Sequence, residues 1–286
     1  MTFADLKRKS SSNFQFLQKE LEKSSSNNVG ADERLWKPEL DATGNGYAVI
    51  RFLPAPDGES LPWAKIYSHA FQSTGGWLIE NCPTTKGEQC PICAANNKLW
   101  NSGVESDKDT VRQRKRKLSY YSNIYVVSDP KHPENDGKVF LYKYGKKIHD
   151  KILAAMQPEF QDETPVNVFD FWEGANFKLK IKTVAGFWNY DSSEFTAPAA
   201  LSSDDEEMEK IWGDAYSLEA FTASDQFKSY DDLQNRLNTV LGAAPATVQT
   251  QVEEEQEPVL VAAGNTAEPS VEEDDALSYF QKLAEN

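Results

Sequence analysis

Within 25 residues the chain places all three of its cysteines and one of its three histidines, as His69-x12-Cys82-x7-Cys90-Pro91-Ile92-Cys93. The terminal Cys-x-x-Cys supplies two thiolates from one tight turn, and the two earlier residues can close a tetrahedron around an ion. Zinc accepts thiolate and imidazole together, and four protein ligands leave no open position for a reactive water. The spacing therefore predicts one structural Zn2+ at His69, Cys82, Cys90 and Cys93. A dithiol redox pair would employ Cys90 and Cys93 but leave His69 and Cys82 unexplained. Three unrelated buried thiols are the plainer competitor. A zinc deaminase pairs His-x-Glu with Pro-Cys-x-x-Cys. Here Ala70 and Phe71 follow His69 and Pro91 lies inside the Cys-x-x-Cys, so that reading fails twice.

A chain of 286 residues suits one or two domains with tails. Aromatic residues make up 12% of it, more large rings than a core of this size needs. No apolar run approaches the roughly 20 residues of a membrane span, and no apolar stretch follows the basic N-terminus as a secretory signal would require. Three cysteines in a metal arrangement suit a reducing cytoplasm. The net charge of −15 is unevenly spread: residues 1–200 hold 26 basic against 25 acidic side chains, and residues 201–286 hold 4 against 20. Such asymmetry suggests a polyanion-binding body with an acidic tail. A solvated, solubilising tail would explain the acid but not the basic clusters.

Residues 1–30 open with Lys7-Arg8-Lys9-Ser10-Ser11, and Phe14, Leu17 and Leu21 follow at helical spacing before a Ser/Asn run. This reads as a short amphipathic arm on a flexible linker. From Tyr47 the pattern turns to β, with strands expected at Tyr47–Leu53, Ala64–Phe71, Tyr120–Val127, Lys138–Tyr144 and Asn176–Val184. In the last of these, Phe177, Leu179 and Ile181 alternate with Lys178, Lys180 and Lys182. Helices are expected at Ala94–Trp100 and Gly145–Met156, with Asn101–Thr110 a polar loop between them. Past Tyr190 the chain is acidic and helical. Phe227, Tyr230, Leu233, Leu237 and Leu241 form one stripe, with Ser224 available as N-cap and Gly242 as a stop. Composition from residue 243 onward predicts disorder, ending in an acidic patch with Leu277, Phe280 and Leu283 as an apolar tip. The fold class is thus mainly β with peripheral helices, an α+β chain divided into arm 1–30, core 31–242 and tail 243–286.

Five cations in six residues, Arg112 to Lys117, run straight into Tyr120-Tyr121. Phosphate neutralisation is indifferent to sequence, and aromatic faces stack on any base. Cations beside rings are therefore the footprint of a single-strand binder. The pairing recurs at Tyr142-Lys143-Tyr144 and at Phe187-Trp188-Asn189-Tyr190. Each pairing alone reads equally well as core packing; three together favour nucleic acid. No phosphate-binding glycine loop and no nucleophile–base pattern is present, so the chain reads as a non-enzyme. The runner-up is a zinc-containing interaction adaptor acting through its acidic tail, and a metal-dependent nucleic-acid enzyme ranks third.

Ala48-Val49-Ile50-Arg51-Phe52-Leu53-Pro54, the His69/Cys82/Cys90/Cys93 pattern, Lys115 to Tyr120, Trp172 to Phe177 and Asn189-Tyr190-Asp191 occur in this order. In these motifs the chain resembles the single-stranded-DNA-binding, helix-destabilising proteins of T-even-type bacteriophages. The resemblance implies an OB-fold barrel core with an inserted zinc-binding subdomain, at about residues 64–118, and single-stranded DNA in the cleft between them. It implies cooperative, head-to-tail self-association through Lys7, Arg8, Lys9, Ser10 and Ser11. It also implies an acidic tail that engages phage replication and recombination proteins, acting in DNA replication, recombination and repair in the cytoplasm of the infected host. Motif matching gives Tyr120, Tyr121, Tyr142, Phe187 and Tyr190 as stacking aromatics, Arg51, Lys115, Arg116, Lys117 and Lys143 as basic contacts, and Trp77 as a ring at the zinc subdomain. Departures are Leu118 in place of a hydroxyl residue, Tyr121 and His149 in place of tryptophans, and an apolar tip in place of a serine-rich end.

Overall fold

The computed structural model describes residues 32–160 and 162–242. The arm with Lys7, Arg8, Lys9, Ser10 and Ser11, and the tail from residue 243, lie outside the described residues. What is described is mainly β: nine strands in one open sheet, with five α-helices around it. The strands are β1 (Leu35–Trp36), β2 (Asn45–Phe52), β3 (Ala64–Ser73), β4 (Gly76–Asn81), β5 (Lys117–Ser128), β6 (Val139–Tyr144), β7 (Phe177–Val184), β8 (Phe187–Asn189) and β9 (Glu194–Phe195). The helices are α1 (Pro91–Trp100), α2 (Glu105–Arg114), α3 (Lys146–Met156), α4 (Asp205–Gly213) and α5 (Tyr230–Val240).

β5 organises the sheet. β6 pairs with it on one side, while on the other its first half pairs with β3 and its second half with β2. The switch of partner lets one long strand run from the β3–β4 hairpin into the main sheet. Strand alternation then decides what each residue meets. Tyr120, Ile124 and Val126 join Ile50, Phe52, Tyr142, Tyr144, Phe177 and Leu179 in the largest core. The neighbouring parity points the other way, and that face is also covered: Tyr121 packs with Tyr216 and Phe221, and Tyr125 with Phe171, Met208 and Ile211. Asn123 fastens this second layer by exchanging hydrogen bonds with Tyr216, 2.8 and 2.9 Å.

Helix ends follow local chemistry. Asp204 caps α4 by accepting from the Glu206 amide at 3.0 Å, with Asp205, Glu206 and Glu207 at the positive end of the helix dipole. α5 is capped by Ser229, whose hydroxyl accepts from the Asp232 amide at 3.2 Å; the expected cap, Ser224, instead opens a short 3-10 turn. Gly242, with φ of 75°, ends the helix as its sequence predicts. The expected loop at Asn101–Thr110 is half helix, because α2 buries nothing and its charged pairs carry it: Arg112 bridges Glu105 at 3.0 Å and Asp109 at 2.6 Å.

Candidate metal centre and nucleic-acid interface

β3 presents His69, the end of β4 leads into Cys82, and Cys90 and Cys93 flank the first turn of α1, which Pro91 pre-orders at its start. The four ligand atoms lie within 4.8 Å of one another. His69 Nε2 stands 3.6 Å from Cys90 Sγ and 3.5 Å from Cys93 Sγ, and the Cys82 and Cys93 sulfurs are 3.6 Å apart. A tetrahedron with metal–sulfur legs of about 2.3 Å has edges of about 3.8 Å, slightly shorter where a nitrogen forms the corner. The donors are therefore already spaced for one ion, and the cluster can hold a metal. Burial works against a charged His69, yet hydrogen bonds to Cys82 and Cys90 raise its pKa to about 9. Cys82 is pulled far below the ordinary thiol range by hydrogen bonds from Cys90 and Cys93, while Cys93 is pushed up by the same crowd of thiols. A cation that binds the three sulfurs as thiolates displaces their protons.

The outer ring of contacts is specific. His69 Nδ1 meets the Arg114 carbonyl at 3.2 Å, which leaves Nε2 for the ion, and Asn96 Nδ2 donates to the same carbonyl at 3.1 Å. Thr84 Oγ1 lies 3.1 Å from Cys82 Sγ. α5 closes the site from outside: Leu233, Leu237 and Val240 pack with Phe71, Leu78, Cys82, Cys90 and Ile92. Gly75 sits so close beneath it that a β-carbon there would lie 2.0 Å from the Thr239 carbonyl oxygen. Nothing in the metal motif announces this distant helix.

The expected nucleic-acid residues divide between the two faces. Tyr120 and Tyr142, expected as cleft aromatics, point into the main core at 6% and 3% exposure, the direction that alternation along β5 and β6 gives them. Tyr120 stacks on His149 at 3.8 Å, and Tyr142 meets Trp36 edge-on at 5.3 Å. Burial raises the Tyr142 phenol well above its ordinary pKa. Tyr190 is half-buried against the same core, edge-on to Trp188. Arg51, expected as a basic contact, is 1% exposed, with Nη2 donating to the Ala199 carbonyl. The turn at residues 170–174 lies against the guanidinium, and it is tied to residues 199–201 by the Ala199 amide donating to the Gly174 carbonyl at 2.9 Å and the Leu201 amide to the Phe171 carbonyl at 2.8 Å.

Other expected residues remain accessible. Tyr121 stacks on Phe221 at 4.3 Å, with Lys143 Nζ 5.5 Å from its ring, beside a concavity of about 260 Å³ lined by Ser68, Ser119 and Asn81. Phe187 is 77% exposed at the tip of the β7–β8 hairpin, whose two-residue turn has Ala185 and Gly186 at φ of 51° and 81°. Trp77 stands out from β4. Lys115 caps the end of α2 and the exposed Lys117 opens β5.

On the core-facing side of the β3–β5 junction is a group only partly visible in the sequence. The Arg116 guanidinium lies over the Tyr67 ring at 4.3 Å, and Lys65 Nζ lies 5.3 Å from the same ring. Lys65 is the register partner of Tyr120, and Tyr67 of Leu118. Two cations on one ring, beside the exposed Lys117 that opens β5, form a basic aromatic surface. Trp100 also has two cations near it, Lys108 and Arg112, but these are paired with Glu105 and Asp109. The opposite concavity carries Glu80 as well as Lys143. Alternation of Lys65 and Tyr67 along β3 was the available signal, and Arg116 supplied the other half.

The family model described as gp32 DNA binding protein like matches residues 44–241. A single-stranded DNA-binding protein of Enterobacteria phage T2 is 45% identical over 220 residues, covering 74% of this chain and 72% of that protein. The single-stranded DNA-binding protein of Enterobacteria phage T4 is 44% identical over the same length and shares of the two chains. A single-stranded DNA-binding protein of Enterobacteria phage RB70 matches over 94 residues at 43% identity, 32% of this chain and 77% of that one.

Proposed function

The chain belongs to the gp32-like DNA-binding protein family, and from that premise we propose that it is a non-enzymatic, sequence-independent binder of single-stranded DNA. The observation that carries this is the 45% identity, across most of both chains, to a protein named for single-stranded DNA binding. The surface we assign to the strand is the one formed by Lys65, Tyr67, Arg116 and Lys117, with Tyr120 beneath it. Phosphates meet the cations and bases stack on the ring, two contacts that ignore base identity. Tyr121 with Lys143, and the exposed Phe187, are the candidates for extending the path.

The ion is Zn2+ in this reading, because three thiolates and an imidazole in a closed tetrahedron suit it best. Its part is to hold the hairpin, α1 and the first residues of β5 together. We read the main sheet as an OB-type core, residues 1–30 as the arm for cooperative head-to-tail assembly, and residues 243–286 as the segment for partners in replication, recombination and repair. Work of this kind belongs in the cytoplasm of an infected bacterium. No described helix is long and apolar enough to cross a membrane. Duplex destabilisation follows without catalysis, since a ligand that binds only the open strand favours opening.

Intrinsic Trp/Tyr fluorescence, titrated with a long single strand and with matched duplex at several salt concentrations, tests the proposal. Quenching by the single strand, reversed by salt and nearly absent with duplex, is the expected result. Full-length and tail-deleted protein that both fail to respond at low salt would refute it. Tyr67→Ala and Arg116→Gln should each weaken the response, and the second should also make the salt dependence shallower.

A further inference from the structure

The turn that follows Cys82 touches both the metal ligands and the basic strand. Thr84 Oγ1 lies 3.1 Å from Cys82 Sγ, and Arg116 Nη1 donates to that same oxygen at 2.9 Å. A hydroxyl has one proton and two lone pairs. Arg116 can only donate, so it occupies a lone pair, and the hydroxyl proton is left for sulfur. A metal-bound Cys82 is a thiolate with no proton of its own, which makes it the acceptor. The polarity of the chain is therefore fixed: guanidinium to hydroxyl oxygen, hydroxyl proton to thiolate.

The ring under Arg116 is held by the same turn. The Tyr67 amide donates to Thr85 Oγ1 at 2.9 Å, and the Cys82 amide donates to the Tyr67 carbonyl at 2.8 Å. From the other side of the site, the Arg114 carbonyl is held by His69 and Asn96. Two ligands thus grip the basic segment: His69 through its backbone and Cys82, through Thr84, by a side chain. We propose that Thr84 is a positioning residue that aims Arg116 across Tyr67 for phosphate, so that its hydroxyl sets strand affinity without itself touching DNA.

An arginine on a flexible stem loses rotamer freedom when it binds a phosphate, and a group that orders it beforehand removes that cost from binding. The hydroxyl also keeps the guanidinium in the fork orientation that meets phosphate oxygens. Lys at this position would make one point contact and lose the bond to Thr84 or the phosphate.

This inference rests on the single-strand reading, and its test separates the two. Thr84→Val keeps the shape and removes the hydroxyl; Thr84→Ser restores a hydroxyl. In the full-length protein, Thr84→Val should keep one zinc per chain by colorimetric release and a wild-type melting curve. Its affinity for an oligo(dT) should fall three- to tenfold, with a salt slope shallower by up to about 0.7, one single-strand phosphate contact. Thr84→Ser should recover both. In an Arg116→Gln background, Thr84→Val should have no further effect. Wild-type affinity and slope in Thr84→Val would overturn the assignment, and so would loss of zinc, since the hydroxyl would then act on ion retention. If the wild-type protein binds no single strand, the functional proposal fails first. The positioning claim is then decided by the Arg116 guanidinium NMR signals, slowed in wild type and Thr84→Ser and averaged in Thr84→Val. Signals equally averaged in all three would defeat it.

Discussion

His149 shows how a titratable ring changes what a core responds to. It lies face to face with Tyr120 and edge-on to Trp63 at 5.6 Å, and its Nδ1 is buried without a hydrogen-bond partner. Burial lowers its pKa below 6.5; Asp150 opposes the shift and Lys65 reinforces it. The unfolded chain therefore takes up the proton first as acid is added. Stability from this residue is intact above about pH 6.5 and declines as the pH falls from there toward the depressed folded value. His149→Phe should flatten the melting temperature between pH 7 and 5 relative to wild type; parallel curves for the two proteins would assign the acid sensitivity elsewhere. Arg51 carries the opposite lesson. Its Nε and Nη1 have no partner, while Nη2 holds the Ala199 carbonyl. Arg51→Met should leave the salt slope of strand binding unchanged. It should lower the melting temperature by several degrees, because a buried carbonyl loses its donor and Asp170 its nearby cation. A shallower slope would return Arg51 to the interface. At this scale the sequence spoke clearly about ligands, whose chemistry is carried by residue type and spacing. It spoke poorly about contacts: Tyr120 and Tyr121 are adjacent in the chain, and only the register of β5 says which one faces the core.

At the level of elements, periodicity was a good guide wherever one face is buried. The alternation of Phe177, Leu179 and Ile181 in β7 and the stripe of Leu233 and Leu237 in α5 both pack as they read. What periodicity could not disclose is what a stripe packs against, because that partner lies more than 130 residues away in the metal hairpin. α2 was missed for a related reason: a helix with no apolar face has no period to read, only ion pairs. The α5–hairpin contact makes the metal site and the helix one cooperative unit. Leu237→Ala should cost about 2–5 kcal/mol of that unit's stability through the cavity it leaves. Chelator should then strip the ion from Leu237→Ala faster than from wild type, since the ligands are exposed by the same opening. Equal rates of zinc release in a colorimetric assay would mean that the site opens without α5 leaving.

Over the whole molecule, charge is the quantity the sequence disclosed most fully and the fold least constrains. Residues 243–286 hold 10 acidic side chains and one lysine, so removing them changes the net charge from −15 to −6. The body that remains still presents Arg116 and Lys65 over one ring. A tethered polyanion lowers the local concentration of another polyanion at every basic surface within its reach, and its influence decays over a Debye length of about 10 Å at 0.1 M salt. Deleting residues 243–286 should therefore raise both the association rate and the affinity for single-stranded DNA at low salt. The advantage over the full chain should shrink as salt is added, because screening removes the repulsion that the deletion removed. The body's own phosphate contacts give each protein a negative slope of log affinity against log salt, and the tail-deleted protein should have the steeper one. Stopped-flow fluorescence with oligo(dT) across a salt series measures both quantities. Coincident salt slopes, with any change in affinity constant across the series, would show that the tail acts by something other than its charge.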